Sequence, residues 1–449
     1  MKTLQRAIGR WDFVSLIINI TIGAGIWGLP AKVYALLGSY SVFAFIACAF
    51  FIALIMLCFA EAGSRFSITG GPYLYALQSF GAATGFLAGW LLWLSRIFAF
   101  ASVANLLIGY ASLFYAGIAV GWYRAFFIGS LVAGLGLLNW VGIRPATVLN
   151  NVITTIKLLV LVAFVGIGLF FIKAKSFQFS QPPAFGPFGQ ATLLLVFAFS
   201  GFDVAAVPAG EVRQPNKNVP FALGAALLVV TLLYIGIQVV TIGTLPGLAT
   251  SSTPLADASY ILAGKPGAVV LSIGAIITIL GTMNILVLTC SRLLFAMAEQ
   301  KQLPVLLTQI HPRFQTPSVA LLVSAGFMLV VTIGSNFLQA LSISALIRLF
   351  TFITTAMAVF VLRKKQGQAP FTIKRPHVVV TLVVVLCGVL VVQQLAGGES
   401  CSLAGSNRFY HFYIIPALPA FKGTKRSNCK NACITGAKNL IVEAKNISR

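Results

Sequence analysis

Charged side chains are scarce in this sequence of 449 residues. Only 9 % of the residues are Asp, Glu, Lys or Arg, whereas soluble proteins contain about 25 %. A soluble domain of this length needs a charged surface, and eight acidic residues cannot supply a balanced one. The composition therefore excludes a soluble enzyme, a secreted disulfide scaffold and a disordered protein.

Residues and motifs that carry enzyme chemistry are also few. Three His are scattered along the chain, and there is no P-loop, His-Glu-x-x-His or Gly-x-Ser-x-Gly motif. Four of the seven Cys (Cys48, Cys58, Cys290 and Cys387) lie within apolar runs, where Cys behaves as a small hydrophobe. We therefore predict no enzyme activity, no metal site and no cofactor.

Long apolar runs are abundant, since 59 % of the residues are hydrophobic. Runs near twenty residues are long enough to cross a bilayer as helices. They predict an all-α polytopic membrane protein with eleven clear spans, at 13–36, 41–60, 83–110, 125–142, 147–172, 190–209, 221–245, 268–297, 318–334, 341–362 and 378–395.

The net charge of +23 would suggest a nucleic-acid partner for a soluble protein. Here the basic residues lie mostly in short loops between apolar runs, and most of them share one side when the N-terminus is placed inside. Because cytoplasmic loops are enriched in Lys and Arg, we expect a cytoplasmic N-terminus, a multi-pass location in the cell (inner) membrane and no nucleic-acid partner.

Glycine and serine interrupt the first and sixth runs, at Gly23, Gly25, Ser200 and Gly201. Broken helices in a membrane are tolerated where they line a cavity or are buried in protein, although glycine also allows simple close packing. The interruptions are five runs apart. Because five is an odd number of membrane crossings, two five-helix halves would insert with opposite topology. A matched pair of this kind predicts an inverted repeat with a midplane binding site.

This reasoning divides the chain into five parts. We expect a cytoplasmic N-terminus (1–12), two five-helix repeats (13–172 and 190–362), a cytoplasmic loop with helix eleven (363–395), and an atypical basic tail (396–449). Within the tail, residues 409–421 are apolar but short; they fit a degraded twelfth span, a re-entrant segment or unrelated sequence.

Four groups of motifs in colinear order resemble the amino acid–polyamine–organocation (APC) superfamily of amino acid permeases, between about Trp11 and Arg375. The resemblance implies a leucine-transporter-like fold, a 5+5 inverted repeat with broken helices 1 and 6, and it is compatible with a homodimer. The motifs are Ile22–Ile26; Ala60–Phe66 with Gly70–Tyr73; Phe199–Asp203 with Glu211–Pro215 and Asn218–Pro220; and Ser291–Ala296 with Leu303–Pro304 and His311–Arg313.

In such a fold the broken segments bind the substrate. The N–H groups of Gly23, Ala24 and Gly25 are suited to a carboxylate. Carbonyls freed at the second break are suited to an ammonium group, and Phe197 and Phe202 are candidates for an aromatic gate, with core packing as the alternative. The second break contributes Phe197, Ala198 and Ser200.

Three of the ionisable residues within apolar runs are functional candidates for that reason, whereas Arg348, in the tenth run, has no role that the sequence supports. The resemblance implies that Lys157 couples transport to protons in place of sodium; the alternative is a lysine that snorkels to the interface. Arg96 would repel cationic substrates and attract acidic or polar ones, or it is structural. Asp203 would shape or protonate the site, or cap a helix. Glu61 and Arg65, four residues apart, form a predicted pair.

Together these features predict a secondary active amino acid transporter that works by alternating access, through proton-coupled symport or exchange. Its partners would be an amino acid, protons and the lipid bilayer. The alternatives are a sodium-coupled symporter, a non-transporting sensor with the same fold, and a membrane-embedded enzyme.

Overall fold

The computed structural model describes residues 9–66, 71–141, 146–179, 182–205, 212–367, 369 and 371–401. These residues form fourteen α-helices joined by loops and short 3-10 turns: α1 (Arg10–Thr21), α2 (Gly25–Leu37), α3 (Ser41–Ser64), α4 (Gly71–Phe80), α5 (Ala82–Ala111), α6 (Gly121–Val141), α7 (Ala146–Leu169), α8 (Phe185–Phe199), α9 (Phe202–Ala205), α10 (Pro215–Thr244), α11 (Pro254–Glu299), α12 (Ser318–Gly334), α13 (Phe337–Gln366) and α14 (Pro376–Cys401).

Every predicted run coincides with a helix or a pair of helices. The first run folds as α1 and α2, the sixth as α8 and α9, and the other nine as single helices. Helix α4 and the first turns of α11 are additional, and α11 bends at Ala263 and Gly264. The inverted repeat and the number of crossings stay predictions, and residues 409–421 lie outside the described part.

Seven described helical stretches are long and apolar enough to cross a membrane. These stretches are identified by their length and composition alone. Three further apolar helices of the described part are shorter than the seven. The seven stretches are Gly25–Ser64, Ala82–Ala111, Gly121–Val141, Lys217–Thr244, Pro254–Glu299, Phe337–Gln366 and Pro376–Gln394.

Helix α5 lies at the centre of the packing, against α4, α11, α12 and α13. Helix α8 packs against α2 and α3, while α1 packs against α10. The interior is filled by large side chains, among which Trp27, Trp93 and Phe199 are almost fully buried. The two interrupted helices therefore lie inside the protein, where water does not satisfy their backbone groups.

A buried carboxylate joins the end of α3 to α13 and to the segment that precedes α14. Glu61 Oε1 accepts hydrogen bonds from Arg363 Nε at 2.5 Å and Arg65 Nη2 at 3.3 Å. Glu61 Oε2 accepts from Arg363 Nη2 at 2.6 Å and from the backbone N–H of Ile373 at 2.8 Å. The predicted Glu61–Arg65 pair is present, and Arg363 is the stronger partner because it binds both oxygens.

Replacing Arg363 with Met should lower the free energy of unfolding by about 2 kcal/mol, because a buried carboxylate loses two charge-assisted hydrogen bonds. The thermal unfolding midpoint of the detergent-solubilised protein measures the effect. Arg375→Met, at an exposed position of the same segment, is the control. The double variant Glu61→Met with Arg363→Met should lose less than the sum of the single variants. Equal midpoints for Arg363→Met and Arg375→Met would contradict this assignment.

Candidate functional site

The first interruption separates α1 from α2. Helix α1 ends at Thr21 and α2 begins at Gly25, so that Ile22, Gly23 and Ala24 are outside both helices. The N-terminus of α2 is buried and has no side-chain capping hydrogen bond. Because the first N–H groups of a helix lack partners within the helix and carry partial positive charge, this end is suited to an anion.

The second interruption lies between α8 and α9, at Ser200 and Gly201. Gly201 has a φ of +138°, a conformation that favours glycine. The carbonyl of Phe197 accepts from Ser200 Oγ at 2.7 Å and from Ser200 N–H at 3.3 Å. This carbonyl, predicted to accept an ammonium group, therefore already has two donors in the observed conformation.

The two interruptions pack directly against each other. A Cβ atom at Gly25 would lie 2.8 Å from Cα of Ala198, and one at Gly201 would lie 2.9 Å from the carbonyl oxygen of Ile20. Both distances are too short for a side chain. Gly25 and Gly201 are therefore required for close approach of the two backbones, whereas a Cβ at Gly23 would lie 3.4 Å from the Thr282 side chain.

Tyr234 of α10 bridges the two interruptions. Its hydroxyl is 3.0 Å from the carbonyl oxygen of Thr21 and 3.1 Å from that of Ala198, and its side chain is fully buried. The sequence reasoning did not single out this residue. Its position in the middle of an apolar run could have identified it as a candidate, because a buried phenol hydroxyl needs a hydrogen-bond partner.

Lys157 of α7 binds the end of α1. Its Nζ donates to the carbonyls of Asn19 and Ile22, both at 2.9 Å, and the residue is 4 % exposed. A cation is favourable at this position, since the C-terminal carbonyls of a helix carry partial negative charge. The side chain thus points into the first interruption.

Asp203 and Arg348 form a buried ion pair beside the second interruption. Arg348 Nη1 donates to Asp203 Oδ1 at 3.1 Å, and the same oxygen accepts from Gly201 N–H at 3.1 Å. Asp203 therefore shapes the turn at Gly201. Arg348, to which the sequence assigned no role, joins α13 to this turn. Arg96 of α5 has a different partner: it donates to the carbonyl of Thr289 in α11 at 2.8 Å.

The two phenylalanines predicted as a gate differ in their surroundings. Phe202 is fully buried, with its ring centroid 5.2 Å from that of Phe59 and 5.7 Å from that of Phe352. In this conformation Phe202 belongs to an aromatic cluster of the core, and its role as a gate stays a prediction. Phe197 is 8 % exposed and lies one turn from the interruption.

Two buried interruptions in contact, with polar partners from α7 and α10, define the class of the protein. Discontinuous helices that meet inside an apolar helical protein are the arrangement in which transporters build their binding sites.

Known proteins agree with this class. The profile of the family described as "Amino acid permease" matches residues 8–418. Three Bacillus subtilis (strain 168) proteins are similar: a methylthioribose transporter (30 % identity; 85 % of this chain and 87 % of the relative covered), the branched-chain amino acid permease BcaP (27 %; 84 % and 85 %) and the serine/threonine exchanger SteT (29 %; 81 % and 84 %). This chain therefore belongs to the amino acid permease family, within the APC superfamily. It is an integral multi-pass membrane protein of a transporter family, and not an enzyme.

Gly25→Ala should lower the free energy of unfolding by about 1–3 kcal/mol, because the new methyl group collides with the backbone of α8, and substrate binding should weaken with it. Gly23→Ala is the matched control, since its methyl group would make ordinary contact with Thr282. Thermal unfolding and radioligand binding on both purified variants measure the difference. A Gly25→Ala protein as stable as Gly23→Ala would refute close packing of the interruptions.

Tyr234→Phe should impair substrate binding more than Tyr110→Phe. Both tyrosines are fully buried and donate to a backbone carbonyl of the first interrupted helix, but among the described residues the Tyr110 hydroxyl binds Trp27 O alone, at 2.8 Å, and does not reach the second interruption. Each variant should lose about 1–2 kcal/mol of stability from the missing hydrogen bond. Binding assays on both proteins test the distinction, and equal affinities would show that the bridge is not needed for the site.

Proposed function

We propose that this protein is a secondary active amino acid transporter that works by alternating access. The observation that carries the proposal is the contact between the two buried interruptions, since they bring backbone groups of opposite polarity together. The N-terminus of α2 offers N–H groups to a carboxylate, while the ends of α1 and α8 offer carbonyl oxygens to an ammonium group. The names of the relatives, which include amino acid permeases and exchangers, support the same function.

The amino acid would be held mainly by the backbone. Gly23, Ala24 and Gly25 would bind its carboxylate, and carbonyls at the ends of α1 and α8 would bind its ammonium group. A carbonyl oxygen has two lone pairs, so Ala198 O can accept from a substrate while it accepts from Tyr234. Because Gly25 touches Ala198 in the observed conformation, binding would require these two segments to separate slightly.

Lys157 would couple transport to protons. When charged, its ammonium group holds the carbonyls of Asn19 and Ile22; when neutral, it loses the charge that strengthens both bonds and α1 is freed to move. The ammonium group also occupies carbonyls that a sodium ion would need, which favours protons over sodium. Asp203 is the weaker coupling candidate because its carboxylate is already paired with Arg348.

The topology belongs to the same proposal. The eleven helical segments would cross the cell membrane with the N-terminus cytoplasmic, and residues 13–172 and 190–362 would form the two inverted repeats. A homodimer is compatible with the family resemblance.

Lys157→Ala should retain substrate binding within about tenfold and lose accumulation driven by a pH gradient, because the backbone holds the amino acid and the lysine carries the coupling charge. Uptake of labelled amino acids into proteoliposomes, with sodium or choline as the cation, measures accumulation. Lys173→Ala, which removes an exposed lysine, is the control.

Full pH-driven accumulation by Lys157→Ala would refute the coupling role, and uptake that requires sodium would favour the sodium-coupled alternative. Amino acid binding by the wild-type protein without any uptake would favour the sensor alternative.

A further inference from the structure

Arg348 and Asp203 are buried beside the second interruption, and Arg96 is a buried arginine that interacts electrostatically with both. Arg96, Arg348 and Asp203 are 5 %, 5 % and 2 % exposed. Arg348 is paired with Asp203 at 3.1 Å. Within the described part of the chain, no second carboxylate is hydrogen-bonded to either arginine. The group therefore carries one positive charge more than it neutralises.

The packing of α5 on α13 brings the segments that carry the two arginines together. Ser95 Oγ donates to Ser344 O at 3.0 Å, and Ser344 Oγ donates to Ser95 O at 2.8 Å. Arg96 directly follows Ser95, and Arg348 lies one helical turn after Ser344. Arg96 is consequently within electrostatic range of both Asp203 and Arg348.

Both guanidinium groups have unused hydrogen-bond donors. Among the described residues, Nε of Arg96 and Nε of Arg348 are buried without a partner. The partner of Arg96 within the described ranges is a backbone carbonyl, that of Thr289, which does not cancel its charge. An unneutralised charge and unpaired donors are both costly in a protein interior, and an anion would relieve both costs at once.

We propose that Arg96 and Arg348 form an anion-binding subsite that takes the side-chain carboxylate of an acidic amino acid substrate. The proposal rests on the proposed function and adds the substrate class to it. The subsite adjoins the backbone site because Asp203, the partner of Arg348, accepts from Gly201 N–H in the second interruption. A guanidinium group presents a planar fork of donors that matches a carboxylate. The same charge would exclude lysine and arginine as substrates.

The first experiment uses the purified wild-type chain in proteoliposomes and needs no variant. Glutamate, aspartate, glutamine, leucine and lysine compete with a labelled substrate, once in chloride and once in gluconate buffer. We expect an acidic amino acid to compete at least tenfold better than its amide and lysine to compete poorly, in either buffer. If neutral amino acids bind well only in chloride, the anion at the subsite is inorganic and the proposed substrate class is wrong.

The second experiment tests the residues. Arg96→Gln keeps a donor for Thr289 O and removes the excess charge; we expect the ratio of the affinity for the acidic substrate to the affinity for leucine to fall at least tenfold. Arg96→Lys should restore part of the acidic preference. The double variant Asp203→Asn with Arg348→Gln removes a complete ion pair while Arg96 keeps the excess charge, so acidic selectivity over lysine should be retained in part.

The outcomes separate this inference from the proposed function. If the wild-type protein binds and transports neutral amino acids but prefers lysine to glutamate, the anion subsite is overturned and the transporter stands. If no amino acid of any class binds or is transported, the proposed function fails. If Arg96→Gln unfolds, the wild-type competition still decides between an acidic and a cationic preference.

Discussion

The requirement that broken helices satisfy their backbone groups inside an apolar protein governs this structure. An unpaired N–H or C=O in such surroundings costs several kcal/mol, and the chain interrupts two helices where they meet. The interruptions pack directly against each other, Gly25 against Ala198 and Gly201 against Ile20 O, and the Tyr234 hydroxyl lies within hydrogen-bond distance of one backbone carbonyl at each interruption. Helices α7 and α10 meet part of this requirement, because Lys157 and Tyr234 lie within hydrogen-bond distance of backbone carbonyls in the interrupted region, while Arg348 of α13 binds the side chain of Asp203.

A protein with so few charges uses the buried ones as specific connectors. Glu61 binds Arg363 and Arg65 and so ties α3 to α13. Asp203 binds Arg348 and ties the second interruption to the same helix. Lys157 has backbone carbonyls as partners. Buried ion pairs and charge-assisted hydrogen bonds are strong in a low dielectric, and leaving one partner unpaired is costly. Such interactions therefore suit helices that exchange between a few discrete arrangements.

The groups that stabilise the observed packing are also those that a substrate would contact. Tyr234 and Lys157 bind carbonyls at the two interruptions, and Ser200 occupies the carbonyl of Phe197. Under the proposed function, a zwitterion that enters would share or replace these donors, so binding and helix movement would be linked through the same atoms. This linkage is what alternating access requires, since a ligand shifts a conformational equilibrium only by interacting differently with the two states.

The sequence by itself determined the helical membrane class, the positions of both interruptions and the candidacy of Lys157, because apolar length, glycine and an intramembrane charge are local signals. It also named Asp203 and Arg96, but not their partners. Only the tertiary structure decided that Tyr234 bridges the interruptions, that Arg348 pairs with Asp203, that Arg363 rather than Arg65 is the main partner of Glu61, and that Phe202 packs in the core. Those partners are 145 residues apart for Asp203 and Arg348 and 302 apart for Glu61 and Arg363. No local pattern encodes them, since contacts at such separations arise only when whole helices pack together.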